Sequence, residues 1–189
     1  MTEKLDIVRL AGKSVDLCLI RDDEEALRKY ATWVNDASIN QWVGHQDKVI
    51  QMGQEASYIR NIVNGENDPK TFTFGIVVKN TRELIGTCSL SIYSVSGDIG
   101  ILIGEPGGQE KGYGTETIKM LVDYAFKNFL IHRLELNVVG DNFRAQRCYE
   151  KAGFTKCGTK HEACYFDGKF VDLIQMEILR QTWEKRKEE

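Results

Sequence analysis

The loop Gln109-Glu110-Lys111-Gly112-Tyr113-Gly114-Thr115, preceded by Gly107-Gly108, runs straight into a stretch with helical periodicity. The amides that open a helix are unpaired and carry the positive end of its dipole. Glycines let several of these amides turn inward and leave room for an anion against the backbone, an arrangement that suits a pyrophosphate. The same glycines also serve a plain strand-to-helix turn. Two other phosphate motifs are excluded. Tyr113-Gly114, not Lys-Ser/Thr, follows Gly112, and no G-x-G-x-x-G follows the first strand of a βαβ unit. A second segment, Asn142 to Phe154, starts 28 residues after Gly114. Asn142 suits an N-cap, whose side-chain oxygen satisfies an orphan amide, and Gly153 suits the helix C-terminus. Between them Ala145, Cys148, Tyr149 and Ala152 recur at helical spacing, as packing residues do.

These segments need a frame. The chain has 189 residues, 42% of them hydrophobic, which suits a single domain, 1–189, with one core. Twenty-five basic and 28 acidic residues give a net charge of −3, without the basic excess of a nucleic-acid-coating protein. Cys18, Cys88, Cys148, Cys157 and Cys164 are odd in number and lack C-x-x-C spacing, and His45, His132 and His161 are scattered. Neither a disulfide framework nor a metal site is expected. No apolar run is long enough to span a membrane, and the first ten residues lack a signal-peptide core. The expected protein is cytoplasmic, with no membrane partner.

Alternation at Val15, Leu17 and Leu19 predicts a strand over Val15–Ile20. Asp22-Asp23-Glu24-Glu25 reads as the acidic start of a helix through Trp33. A second helix is expected over Gln54–Asn64, with Ala56, Ile59, Ile62 and Val63 on one side. Phe72–Lys79, Leu84–Tyr93 and Asp98–Ile103 read as strands joined by short antiparallel connections. Ile118, Leu121, Val122, Ala125, Phe126 and Phe129 mark the helix after the glycine loop. Strand Arg133–Val139 follows, then the Asn142-capped helix, then strands Thr159–Phe166 and Phe170–Ile178 around the turn Asp167-Gly168. The polar tail Thr182–Glu189 is expected to fray. The order is that of an α+β fold, a mixed sheet with helices on its faces.

Taken together, Q-x-x-G-x-G at 109–114 and N-x-x-A-x-x-x-Y-x-K-x-G-F at 142–154 resemble the GNAT superfamily of acyl-CoA-dependent N-acetyltransferases. Within it the chain resembles the branch of ribosomal-protein N-terminal acetyltransferases and spermidine acetyltransferases. Trp33-Val34-Asn35-Asp36, Leu84-Ile85-Gly86, Asp98-Ile99-Gly100-Ile101 and Asp167-Gly168-Lys169-Phe170-Val171-Asp172 extend the likeness over nearly the whole chain. The resemblance implies a central, mostly antiparallel sheet of about seven strands flanked by helices, with one splayed parallel pair. It implies acetyl-CoA as co-substrate and no metal. Acetyl-CoA sits in the V between the splayed strands, matched here by Asp98–Ile103 and Arg133–Val139. The pantetheine arm pairs like an added strand with main chain at Ile101, Leu102 and Ile103. The pyrophosphate rests on the amides of Gln109, Glu110, Lys111, Gly112, Tyr113, Gly114 and Thr115. Glu110 stands where relatives often have glycine, and its carboxylate must point to solvent or be offset by Lys111. Asn142 adds a side-chain hydrogen bond to the arm, beside Ala145, and Arg144, Arg147 and Lys151 are in reach of the adenosine phosphates.

The resemblance also places Tyr149 as the proton donor. The acceptor amine attacks the thioester, and CoA leaves as a thiolate. A phenol, with a reference pKa of about 10, holds its proton at neutral pH and delivers it as sulfur departs. Asp98 matches a position where this branch often carries glutamate; it serves as base directly or through water, or merely orients the substrate. Cys148 adjoins Tyr149, but successive helical side chains diverge by about 100°, so direct transfer in a ternary complex is favoured over an acyl-cysteine. Trp33, Trp42, Tyr93 and Tyr165 are the candidate acceptor residues, since aromatic faces suit a cationic amine. The acceptor is left open between a peptide α-amine and a polyamine or aminoglycoside amine, a homodimer is an open assembly, and a non-catalytic acyl-CoA-binding module is the other class of function.

Overall fold

The computed structural model describes residues 6–42, 49–166 and 168–188. Eight strands form one sheet: β1 (Val8–Ala11), β2 (Val15–Leu19), β3 (Thr71–Val78), β4 (Leu84–Ile92), β5 (Ser96–Ile103), β6 (Arg133–Val139), β7 (Thr155–Phe166) and β8 (Lys169–Leu179). Their spatial order is β1-β2-β3-β4-β5-β6-β8-β7. Every neighbouring pair is antiparallel except β5 and β6. The α+β class and the mostly antiparallel mixed sheet are therefore as expected, with β1 as an added edge strand.

The parallel pair is short. It joins Ser96 to Arg133, Gly97 to Leu134 and Asp98 to Glu135, and pairing then stops. Beyond it the two strands part. On its other side β5 stays in register with β4 as far as Ile103, opposite Gly86. Tyr93 N donates to Ser96 O at 2.8 Å and Gly104 N to Ile85 O at 2.9 Å, so even-numbered β5 residues spend their backbone groups on β4. Antiparallel alternation turns the odd-numbered residues toward β6: the Asp98–Glu135 bridge takes up the Ile99 amide, and the backbone of Ile101 and Ile103 faces the gap.

Helices cover both faces. On one side lie α1 (Glu24–Asn35), the single turn α2 (Ala37–Asn40) and α3 (Met52–Val63). Ala26, Leu27, Tyr30, Trp33, Ala56 and Ile59 pack there against Cys18, Val77 and Leu84. On the other lie α4 (Tyr113–Asn128), α5 (Phe143–Ala152) and α6 (Arg180–Glu188). Ile118, Leu121, Val122 and Phe126 of α4 join Tyr149, Ala152 and Phe154 in the larger core, over Leu17, Ile76, Ile99, Leu134 and Leu136. The caps follow the sequence: Asp23 accepts from Ala26 N to start α1, and Asn142 accepts from Ala145 N at 3.1 Å to start α5.

Several elements differ from expectation. β1 and the single turn α2 have no counterpart in the sequence reading, α1, α3 and β5 shift by one or two residues at an end, β7 begins at Thr155 instead of Thr159, and the tail is not frayed but forms α6. Arg180 donates to the carbonyls of Phe126, Phe129 and Ile131, closing the C-terminal end of α4. Trp183 Nε1 donates to Asp123 at 2.6 Å, and its ring packs 5.3 Å from Phe126. The β7–β8 turn is as read, with Phe166 opposite Lys169 and Gly168 at φ 79°; its Asp167 lies outside the described residues, as do His45 and Glu189.

Candidate active site

The glycine loop builds the first wall. Gly112, at φ 82°, is the residue before α4 and gives no side-chain cap. Glu116 N makes the first intrahelical bond, to Gly112 O at 3.0 Å. The amides of Tyr113, Gly114 and Thr115 are thus without helical partners. Arg144 Nη1 donates to the side-chain carbonyl of Gln109, tying α5 to this loop. The three amides and the loop can hold an anion, and the open backbone edge of β5 can pair with an extended chain.

Two cavities use these walls. The first, about 480 Å³, is lined among others by Ile101, Leu102, Ile103, Gln109, Glu110, Gly112, Gly114, Thr115, Asn142, Arg144, Ala145, Arg147, Cys148, Tyr149 and Lys151. The second, about 880 Å³, lies under α1 and α3 and is lined among others by Tyr30, Trp33, Trp42, Glu55, Tyr58, Asp98 and Tyr149. Trp42, Ile101, Leu102, Asn137 and Tyr149 line both. This shared lining comes from β5, β6 and α5 and the stretch after α2, so the cavities join where β5 and β6 part.

Tyr149 sits at that junction, 7% exposed, with its ring 6.1 Å from Phe154. Burial, then the neighbouring Cys148 and Asp98, push its phenol above the ordinary value. Asp98 faces the second cavity beside its ladder partner Glu135. Burial first, and Glu135 second, push its carboxyl up to about 6. Cys148 accepts from Thr115 Oγ1 at 3.4 Å, and burial raises its thiol. A thiol held protonated is a poor nucleophile.

The structure brings together most of the expected residues but not all. Lys111 is exposed and outside the cavities, and Tyr113 packs into the larger core. Leu102 reaches the cavity with its side chain, but its backbone belongs to β4; the β5 backbone turned into the gap is that of Ile101 and Ile103. Glu110 lines the cavity at φ 62°, a left-handed conformation that favours glycine. Trp33 is 4% exposed and packs on Gly104, where any Cβ would lie 2.1 Å from the indole. Tyr93, on the β4–β5 turn, is 53% exposed, and Tyr165 packs on Phe170 at the β7–β8 end, 5.4 Å between rings. Neither lines the two cavities. Asn137, Tyr30 and Glu55 do, and carry no sequence motif. Among the described residues no group of three His, Cys, Asp or Glu could hold a metal, and no helix is long and apolar enough to cross a membrane.

A splayed strand pair with an uncapped helix N-terminus at its mouth is the frame of an acyl-CoA-dependent transferase. The chain belongs to the GNAT acetyltransferases: the Acetyltransferase (GNAT) domain model matches residues 16–155. It is 28% identical over 123 residues to the spermidine N(1)-acetyltransferase of Vibrio cholerae, covering 65% of this chain and 70% of that one. It is 27% identical to the aminoglycoside N(6')-acetyltransferase type 1 of Klebsiella pneumoniae, covering 96% and 91%. The fold is similar to the crystal structure of the Vibrio cholerae spermidine N-acetyltransferase in complex with CoA and spermine, with a TM-score of 0.75, 23% identity and coverage of 90% and 98%. These relatives bear out the spermidine side of the resemblance; the ribosomal-protein side rests on the sequence motifs alone.

Proposed function

We propose that this chain transfers an acetyl group from acetyl-CoA to a primary amine, by direct attack while both substrates are bound. The observation that carries the reading is the meeting of the two cavities at Tyr149, in the gap between β5 and β6. Acetyl-CoA supplies the activated acyl group and a thiolate leaving group. The amides of Tyr113, Gly114 and Thr115 receive its pyrophosphate, with Gln109 and Arg144 fixing the loop. The backbone of Ile101 and Ile103 pairs with the pantetheine arm, with Asn142, Ala145 and Arg147 along the same wall. A gap-facing β5 amide is placed to meet developing negative charge on the carbonyl oxygen. Tyr149 Oη donates its proton toward sulfur, and Asp98 takes the proton that the attacking amine must lose.

A cationic amine suits the second cavity, whose lining includes two acids and several aromatic rings. The spermidine and aminoglycoside relatives support small polyamine or amino-sugar acceptors over a peptide α-amine. A cytoplasmic setting agrees with the supply of acetyl-CoA. The test is thiol release from acetyl-CoA with a panel of amines, alongside calorimetric CoA binding. Release with at least one amine is expected; CoA binding without release for any amine would favour the non-catalytic binding module.

A further inference from the structure

Glu55, on α3, is 7% exposed and forms part of the wall of the second cavity. Among the described residues no cation lies within ion-pair distance of it. None of the described residues lining that cavity is Lys, Arg or His. The cavity nevertheless holds two carboxylates, Glu55 on the helical wall and Asp98 on the sheet. Asp98 is paired across the ladder with another acid, Glu135. Tyr30, 2% exposed, is part of the same wall.

We propose that Glu55 selects the acceptor by receiving a second cationic nitrogen, remote from the nitrogen that is acetylated, so that the substrates are diamines or higher polyamines. The inference rests on the acetyltransferase reading. A buried ionised carboxylate is unfavourable without a partner, and nothing in the described protein supplies one. A monoamine at the reaction centre would leave Glu55 unmatched; a molecule with a second ammonium group would match both acids. Tyr30, Trp33, Trp42 and Tyr58 line the same cavity, and aromatic rings attract a cation without fixing its position. Burial raises the Glu55 carboxyl above its ordinary value, and an ammonium beside it would bring it back down.

The experiment compares hexamethylenediamine with hexylamine, which share a chain length and differ in the second nitrogen. Thiol release gives kcat/KM for each, and titration into the CoA-saturated protein gives affinity without turnover. The wild-type protein is expected to favour the diamine by roughly tenfold to a hundredfold, the range for a hydrogen bond to a charged group. Glu55→Gln, nearly isosteric, should collapse that ratio toward one, mainly through KM, and Glu55→Asp should restore part of it. An unchanged ratio in Glu55→Gln, or no preference in the wild type, overturns the proposal; the wild-type ratio decides alone if the variant does not fold. Equal turnover of both amines leaves the transferase reading standing and removes Glu55. Preferential diamine binding that depends on Glu55, without any thiol release, does the reverse.

Discussion

Burial raises the pKa of both Asp98 and Tyr149, with opposite consequences for what each does at neutral pH. The phenol stays protonated across the working range and remains a donor. The carboxyl, pushed up to about 6, is largely ionised at pH 7 yet basic enough to accept a proton. The rate should therefore fall on the acid side with a midpoint near 6, and Asp98→Asn should be slower and lack that limb in its kcat/KM profile. The stability effect has the other sign. The folded-state pKa lies above the unfolded value of about 3.9, so the folded protein binds more protons between these values. That contribution is present at low pH and is lost as pH rises through about 6. Asp98→Asn should raise Tm at pH 7 and change it little at pH 4, which melting curves at the two pH values will check. Tyr149→Phe should keep the packing against Phe154 and lower kcat by about 10²–10⁴, measured by thiol release with an identified amine. An unchanged kcat where chemistry limits the rate would leave Tyr149 a packing residue.

The start of α4 concentrates what the sequence makes visible and what it hides. Its glycines and the Asn142 cap are local signals, so the loop proposed to hold the anion is legible from residue types and spacing alone. Glu110 at φ 62° beside three free amides is legible there only as an odd residue type. Glu110→Gly should remove both the left-handed strain and a carboxylate near the anion site, and tighten CoA binding about two- to fivefold by calorimetry; weaker binding would place that carboxylate in a useful contact. Gly114 has a second role that its motif does not reveal. A Cβ there would meet Cys148 Sγ at 3.4 Å, so the larger side chain of Gly114→Val would press on α5 as well as on the loop, and the glycine serves helix packing too. β1 and α6 are illegible in the sequence because their anchors are far away along the chain. Glu116 Oε1 accepts from Lys13 N and Ser14 N to hold the β1–β2 turn, and Trp183 reaches back to Asp123. Glu55 is a different case: it stands four and seven residues before Ile59 and Ile62, on the apolar side of α3, but no motif marks it, and its place in the cavity wall follows from how α3 packs in the fold. Trp183→Ala should lower stability by about 1–3 kcal/mol, for lost packing and one charged hydrogen bond, read by denaturant unfolding.

The whole molecule is arranged so that one sheet separates two helical layers and is open at a single seam among the described strands, between β5 and β6. Two cavities meet at that seam and share Tyr149, Asn137, Trp42 and part of β5. Two ligands, one in each cavity, would meet there. This geometry predicts the kinetic order. If acetyl passed through the protein, the first product would leave before the acceptor bound, and double-reciprocal lines at several acceptor concentrations would be parallel. Direct transfer requires both substrates together, and the lines should intersect. Among the described residues lining the first cavity the thiol that could carry acetyl is Cys148, which burial pushes up and whose Sγ is engaged by Thr115. Cys148→Ala should accordingly retain an intersecting pattern and most of kcat, the small loss coming from the cavity left against Gly114. Mixing the wild-type protein with acetyl-CoA in the absence of amine should give no stoichiometric burst of thiol and no added acetyl mass on the chain. Parallel lines, a burst, or an acetylated peptide spanning Cys148 would each mean that the seam between β5 and β6 brings acetyl to the protein before it brings it to the amine.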